Sequence, residues 1–222
     1  MAADTSTAIL LPIGRPLGVD FGRSEPADES QPGTAPRFRV QIGSRIARLT
    51  DEQFGAWFLA HGSAGDDAAP LTLQRLRGAM QREGVLDPEA PIGSLMAIGL
   101  LREVPADRVA RLLFARTHRL HALMTGLGNS ADRPASYALG LCDEPMVELS
   151  PETYRLVMRA GMYRSLLEAV IDLGDLAAAE ERREPDPDGA LAALFDRAHD
   201  LLSVNAAYFD TSARARIGVG DA

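Results

Sequence analysis

The chain has 222 residues, of which 46% are hydrophobic and 24% charged, the proportions of a globular protein. This composition excludes a disordered or fibrous chain, and at about 150 residues per domain the length allows one large domain or two small ones. The net charge of -8 argues against a surface shaped throughout for nucleic-acid phosphates. All 23 basic residues are arginine, which excludes lysine-dependent chemistry such as Schiff-base formation.

The N-terminal residues 1–36 are predicted to be an extension. Residues 22–36 within it are rich in Gly, Pro, Ser and acids, which is typical of a flexible linker. The apolar segment 7–21 is expected to cover the chain's own core as a strap, and a docking strand for another molecule is the alternative. The single cysteine, Cys142, allows no intrachain disulfide, and no apolar run approaches the roughly 18 residues of a membrane span. We therefore expect a cytoplasmic protein without a membrane segment.

Two similar segments follow the linker. Phe38–Ile42 and Tyr137–Leu141 alternate apolar and polar residues, as the first strand of a hairpin does. Thr50 and Ser150 then each precede a segment with helical apolar spacing, and both residues are favoured helix N-caps. Gln53 completes a capping box in the first copy. The pattern predicts two halves that each begin with a hairpin and continue into a helix.

The order of the later elements resembles a winged helix. Further helices are predicted over Leu71–Arg82, Pro88–Ile98, Ser165–Arg183 and Gly189–Leu202, with strands after Gly99 and over Ser203–Phe209. We predict an α+β protein of two tandem winged-helix-like modules, each a β-hairpin plus three helices, joined by a linker helix. The predicted modules span residues 37–104 and 136–210, and residues 211–222 form a C-terminal tail.

Residues 105–135 are predicted to be a basic linker helix and a turn, with the helix running from Pro105 to Met124. Its apolar residues share one face on a wheel of 100° per residue, and three arginines lie beside that face. These are Arg108, Arg111 and Arg119. They either pair with surrounding acids or form a basic stripe that contacts a phosphate or an acidic peptide.

Catalytic and metal-binding signals are weak. His118 and His121 stand three residues apart with no carboxylate at ligand spacing, too few donors for a four-coordinate metal site. Cys142 has no predicted acid–base partner that would form its thiolate. Segment 126–130 is glycine-rich but follows a helix and lacks lysine, so it predicts a turn and not a phosphate loop. We expect no enzyme, no metal and no cofactor.

A DNA-reading winged helix needs basic or amide side chains on its recognition helix. The corresponding segment here, Pro88–Ile98, contains Glu89 and no basic residue. DNA binding is therefore disfavoured, and it is kept as an alternative that uses the linker helix or a homodimer.

The first half resembles the PqqD-like peptide-recognition modules. The similarity is carried by the leading hairpin, by the entry Leu49-Thr50…Phe54…Trp57 to the first helix, and by the exit Leu95…Gly99-Leu100-Leu101 from the third. In that family a leader peptide adds as a strand to the edge of the hairpin sheet and leans on the third helix. The resemblance implies a peptide-binding surface at Arg45, Ile46, Arg48, Leu49, Ile92, Leu95 and Met96. The arginines would steer an acidic peptide, whereas in the alternative Ile46 and Leu49 face the core.

The sequence thus favours a non-catalytic adaptor that binds a peptide or protein, with strand addition as its mode of recognition. A DNA-binding transcription regulator and a structural subunit of a larger assembly are the alternatives. A subunit would expose apolar surface when isolated.

Overall fold

The computed structural model describes residues 8–20, 37–63, 70–181 and 184–212. The protein is a mixed α+β structure with several small antiparallel sheets, as predicted. The predicted linker 22–36 and nearly all of the predicted tail 211–222 lie outside the described residues. Within the described ranges, no helix is both long and apolar enough to cross a membrane.

In the part of the first half that the structure describes, there are five strands and three helices. They are β1 (Ile9–Pro12), β2 (Arg15–Asp20), β3 (Arg37–Ile42), β4 (Arg45–Leu49), α1 (Asp51–Leu59), α2 (Leu73–Arg82), α3 (Glu89–Ile98) and β5 (Leu101–Val104). Strands β2, β3 and β4 form an antiparallel meander, and β1 pairs antiparallel with β5. Thr50 and Gln53 form the predicted capping box at the start of α1.

The second half follows a connecting helix, α4 (Arg108–Thr117). Its elements are β6 (His118–Ala122), β7 (Thr125–Gly128), β8 (Tyr137–Leu141), β9 (Glu144–Leu149), α5 (Pro151–Arg159), a short 3-10 helix (Ala160–Met162), α6 (Leu166–Glu181), α7 (Pro187–Asp196), α8 (Ala198–Ser203) and β10 (Ala207–Thr211). Strands β7, β8 and β9 form a second meander, and β6 pairs antiparallel with β10. The second half therefore repeats the strand pairing of the first.

The repeat extends to individual hydrogen bonds. The amide of Ile13, just after β1, donates to the carbonyl of Leu100 at 2.8 Å. The amide of Leu123, just after β6, donates to the carbonyl of Ala206, also at 2.8 Å. Each bond joins the end of the first strand of its half to the residue before the last strand. The first strand of each half is therefore an integral part of it.

The exits from the helices into the last strands also match. Gly99 after α3 and Asn205 after α8 both adopt left-handed backbone, with φ of 83° and 56°. The amide that follows each one reaches back into the last helical turn, to Leu95 in the first half and Leu201 in the second. This is the Schellman helix end, which glycine and, less often, asparagine can form. The predicted stop at Gly99 is confirmed, whereas the stop at Asn205 was missed.

The prediction of one helix from Pro105 to Met124 is wrong beyond Thr117. His118 and Leu120 are buried and alternate with more exposed neighbours, because this segment is the strand β6. Val109 and Leu113, expected on the buried face, are 64% and 57% exposed. Pairing with β10, far later in the chain, overrides the local helical spacing.

Two further predicted boundaries shift in the second half. The single helix expected over Gly189–Leu202 is divided into α7 and α8, because Arg197 leaves the helical region with φ of −107° and ψ of 4°. The closing strand begins at Ala207 and not at Ser203.

Within the predicted N-terminal strap, β1 packs on the chain's own core, whereas Leu17 and Val19 on β2 are exposed. Leu10, Leu11 and Ile13 are fully buried, and the indole N–H of Trp57 donates to the carbonyl of Ile13 at 3.1 Å. The two halves meet nearby, where the amide of Gly43 in the β3–β4 turn donates to the carboxylate of Asp210 at 2.5 Å. Both hydrogen-bonded groups are buried, so they fix the β3–β4 hairpin against the second half.

Candidate functional site

Strand β4 is an edge of the first meander. Among the described residues it pairs with β3 on one side and with no strand on the other. Its pairing with β3 is regular from Ile42↔Arg45 to Phe38↔Leu49, without a bulge. An unprotected edge presents unpaired N–H and C=O groups that can accept a further strand.

The register determines which residues carry those groups. In an antiparallel ladder closed by a two-residue turn, the closing pair, here Ile42 and Arg45, exchanges both hydrogen bonds, and hydrogen-bonded pairs then alternate with non-bonded ones. Ile46 and Arg48 belong to the non-bonded pairs. Their backbone N–H and C=O groups therefore point to the open edge.

The outer face of this sheet is basic. Residues paired across an antiparallel sheet share a face, so Arg15, Gln41 and Ile46 form one row, and Gly18, Arg39 and Arg48 form the next. Arg37 and Asp20 form the last row. We call these eight residues the basic face, which carries four arginines and one acid. Asp20 lies 3.8 Å from Arg39, and Arg15 donates to the side-chain oxygen of Gln41.

The face opposite the basic face packs on α1. Val40, Ile42 and Leu49 are buried there, and Phe38 stacks on Phe54 of α1 with ring centroids 4.1 Å apart. Helix α1 therefore covers the centre of that face, at β3 and β4, whereas the basic face and the β4 edge are open.

The equivalent edge of the second half, β9, is closed at the same two positions. Pro145, opposite Gly140, has no N–H to offer, and a bulge lies next to it. The carbonyl of Glu148 already accepts a hydrogen bond from the Arg197 guanidinium at 3.1 Å. The side chain of Glu148 pairs with Arg133. Prolines, bulges and capped carbonyls are how native sheets protect an edge from further pairing.

The two edges also carry opposite charges. The strand that begins with Arg45 and contains Arg48 in the first half begins with Glu144 and contains Glu148 in the second. The extra residue in the β9 bulge explains why the equivalent strand residues Phe38 and Tyr137 are one residue closer together in sequence than the equivalent helix N-caps Thr50 and Ser150.

The predicted peptide-binding residues divide into two groups. Arg45, Ile46 and Arg48 are exposed on β4, with Ile46 55% exposed. Leu49, predicted on the edge strand, and Ile92 and Leu95, predicted to line the groove, are at most 2% exposed and belong to the core. Met96 is half-buried against that core. Strand alternation places Leu49 on the α1 side of the sheet and Ile46 on the other.

The predicted basic stripe does not form on one helix. Arg108 is exposed at the start of α4, whereas Arg119 lies on β6 and donates to the carbonyl of Gly161 at 2.9 Å. Arg111 pairs with Asp188 at 2.8 Å, and its side chain is only 16% exposed. The structure therefore places Arg119 on a different element from Arg108 and Arg111, and it uses Arg111 and Arg119 in contacts within the chain.

His118 and His121 make stacking contacts within the fold. His118 stacks on Phe114 with ring centroids 4.0 Å apart, and His121 stacks on Tyr208 at 4.9 Å. A spacing of three on a strand places His118 and His121 on opposite faces. Among the described residues, no three His, Cys, Asp or Glu side chains come together in a way that could hold a metal.

Burial changes the titration of three histidines. It lowers the pKa of His61 and of His118 from 6.5 to about 4, against the opposing effect of hydrogen bonds to backbone carbonyls. Burial also lowers the pKa of His199, whose ring nitrogen lies 3.0 Å from the carbonyl of Leu10. These rings are neutral at pH 7 and contribute to packing.

Comparison of the chain with protein-family models, with curated proteins and with solved structures finds no match.

Proposed function

We propose that this chain is a non-catalytic adaptor, built from two winged-helix-like modules, that binds a peptide or protein segment by strand addition to β4. The proposal rests chiefly on the contrast between the regular, exposed edge of β4 and the closed edge of β9. Strand β9 shows that this position in the fold can carry a proline and a bulge. The absence of both from β4 is a feature that a strand-binding function explains.

Three observations support β4 as the binding strand. Its two outward-facing residues, Ile46 and Arg48, are exposed. Its hairpin is held at the turn by the Gly43–Asp210 hydrogen bond, so the edge is preorganised and little ordering is needed on binding. Arg45 and Arg48 supply positive charge in a chain whose net charge is -8, which would attract an acidic ligand.

The test is to block the edge without changing the sheet. Ile46→Pro removes one outward N–H, and β9 already carries Pro145 at the matching position, so the fold should tolerate it. Ile46→Thr is the matched control, because it also removes the isoleucine side chain but keeps the backbone N–H. Peptides selected on the wild-type chain from a random phage-displayed library should bind the Pro variant at least about tenfold more weakly and the Thr variant at most about threefold more weakly. Calorimetry measures these affinities.

Equal affinity of the selected peptides for all three proteins would contradict strand addition at β4. Failure of the library to yield any peptide that binds the wild-type chain would contradict it too. Circular dichroism of each variant establishes that the fold is retained.

The DNA-binding alternative loses its main support. It relied on Arg108, Arg111 and Arg119 as a basic stripe, but Arg111 pairs with Asp188 and Arg119 lies on a different element. Helix α3, which would read the bases, carries Glu89 paired with Arg77. We therefore do not propose nucleic acid as the ligand.

A further inference from the structure

We infer that β4 recognises an extended segment in which a carboxylate and an apolar residue stand two positions apart, and that each chain binds one such segment. This inference rests on the proposed strand addition and specifies its ligand. It is derived from the rows of side chains that an added strand would extend.

An added strand places alternate side chains on the basic face. One of them would lie beside Ile46 and extend the row Arg15–Gln41–Ile46. The next on the same face would lie beside Arg48 and extend the row that contains Arg39. Across a sheet, apolar side chains favour apolar neighbours, and charged side chains favour neighbours of opposite charge. The ligand therefore needs an apolar residue and an acid at a spacing of two.

Arg48 is well placed to select the acid. It is exposed, and it makes none of the ion pairs found among the described residues. On the same face, Arg39 has Asp20 within 3.8 Å, so it is already partly neutralised. A carboxylate beside Arg48 would lie near a second arginine, Arg39, on the neighbouring strand β3. Asp20, the one acid among the eight residues of the basic face, lies on β2, the strand farthest from β4.

A second copy of this chain is a poor occupant. Pairing of two β4 edges would place four arginines, Arg45 and Arg48 of each copy, on two adjacent strands with no acid on either, and like charges on neighbouring strands repel. Strand β9 has the complementary charges, Glu144 and Glu148, but Pro145 and the Arg197 hydrogen bond close its edge. The ligand is therefore an acidic segment of a different protein or peptide.

The experiment exchanges charge between protein and peptide. The probes are blocked nine-residue Ser/Thr peptides that carry Glu and Ile two positions apart, each made in both orders because either strand direction satisfies the spacing. Matched peptides carry Lys in place of Glu. Arg48→Glu, which copies the residue of β9, is the test variant. Arg82→Glu, an exposed position on α2, makes the same change in net charge away from the site.

The wild-type chain and Arg82→Glu should bind the Glu peptide about five to ten times more tightly than the Lys peptide, one peptide per chain. Arg48→Glu should reverse that preference. An unchanged preference in Arg48→Glu, or two peptides per wild-type chain, would overturn the inference. If either of these results is found but Ile46→Pro still weakens peptide binding, strand addition to β4 is retained and only the inferred ligand specificity is wrong. If Ile46→Pro has no effect, the proposed function itself fails.

Discussion

At the scale of single residues, local geometry explains both stability and the open edge. The buried carboxylate of Asp210 accepts from the amide of Gly43 and so joins the two halves at the tip of the β3–β4 turn. An unpaired buried N–H costs about 1–3 kcal/mol, which is why this position requires a hydrogen-bond acceptor. On β4, the same turn determines the alternation that directs the backbone groups of Ile46 and Arg48 outward.

The buried histidines predict how stability depends on pH. The pKa of His61 and of His118 is about 4 in the fold and about 6.5 in the unfolded chain, so the unfolded state binds protons first as pH falls. Their contribution to stability is complete above pH 6.5 and is lost between pH 6.5 and 4. Urea unfolding should show the free energy of unfolding falling by about 2 kcal/mol for each of these two residues between pH 7.5 and 5.

His118→Phe serves as the control for this prediction, because phenylalanine can stack on Phe114 and does not titrate. The variant should show a shallower fall in the free energy of unfolding over the same pH range. A wild-type free energy of unfolding that stays constant from pH 7.5 to 5 would show that these rings are not held neutral by burial.

At the scale of elements, the sequence predicts the structure correctly where the determining contacts are local. The hairpins and the capped starts of α1 and α5 depend on residues a few positions apart, and these predictions are confirmed. The helix past Thr117 failed because β6 is fixed by β10, a partner distant in sequence. The integral role of β1 depends in the same way on β5. Local periodicity cannot reveal such pairing.

The candidate site was predictable in part for the same reason. The alternating run Phe38–Ile42 predicts the first strand of the hairpin, and the PqqD-like resemblance places Arg45, Ile46 and Arg48 on its second strand, where all three are exposed. The burial of Ile92 and Leu95 depends on how α3 packs, and the closing of β9 depends on Arg197, which comes from another part of the second half. Neither could be read from spacing along the chain.

The packing of β1 leads to a prediction about the N-terminal segment. Leu11 is fully buried, and truncating a buried leucine typically costs 2–5 kcal/mol, so Leu11→Ala should lower the free energy of unfolding by about that amount. Leu17→Ala, on β2 at 37% exposure, should cost less than about 1 kcal/mol. Chemical denaturation measures both, and equal small losses would show that β1 is not part of the core.

At the scale of the whole molecule, the two halves share their strand pairing and differ in their edges. The shared features are the pairing of β1 with β5 and of β6 with β10, the bulged pairing of β2 with β3 and of β7 with β8, and the Schellman helix ends. The differences concentrate on β4 and β9, where exposed arginines in one half correspond to acids, a proline and a capped carbonyl in the other. Under the proposed function, the first half would bind the ligand and the second half, joined to it through Asp210, would support it.

The central claim, that β4 accepts a strand, is tested most directly by residue-resolved amide hydrogen exchange with and without a saturating amount of the Glu–Ile peptide. The account predicts slower exchange at the amides of Ile46 and Arg48, which would gain hydrogen bonds to the peptide, and unchanged exchange at Met146 and Glu148 on β9. Unchanged exchange at Ile46 and Arg48, in a sample where calorimetry shows the peptide bound, would contradict it.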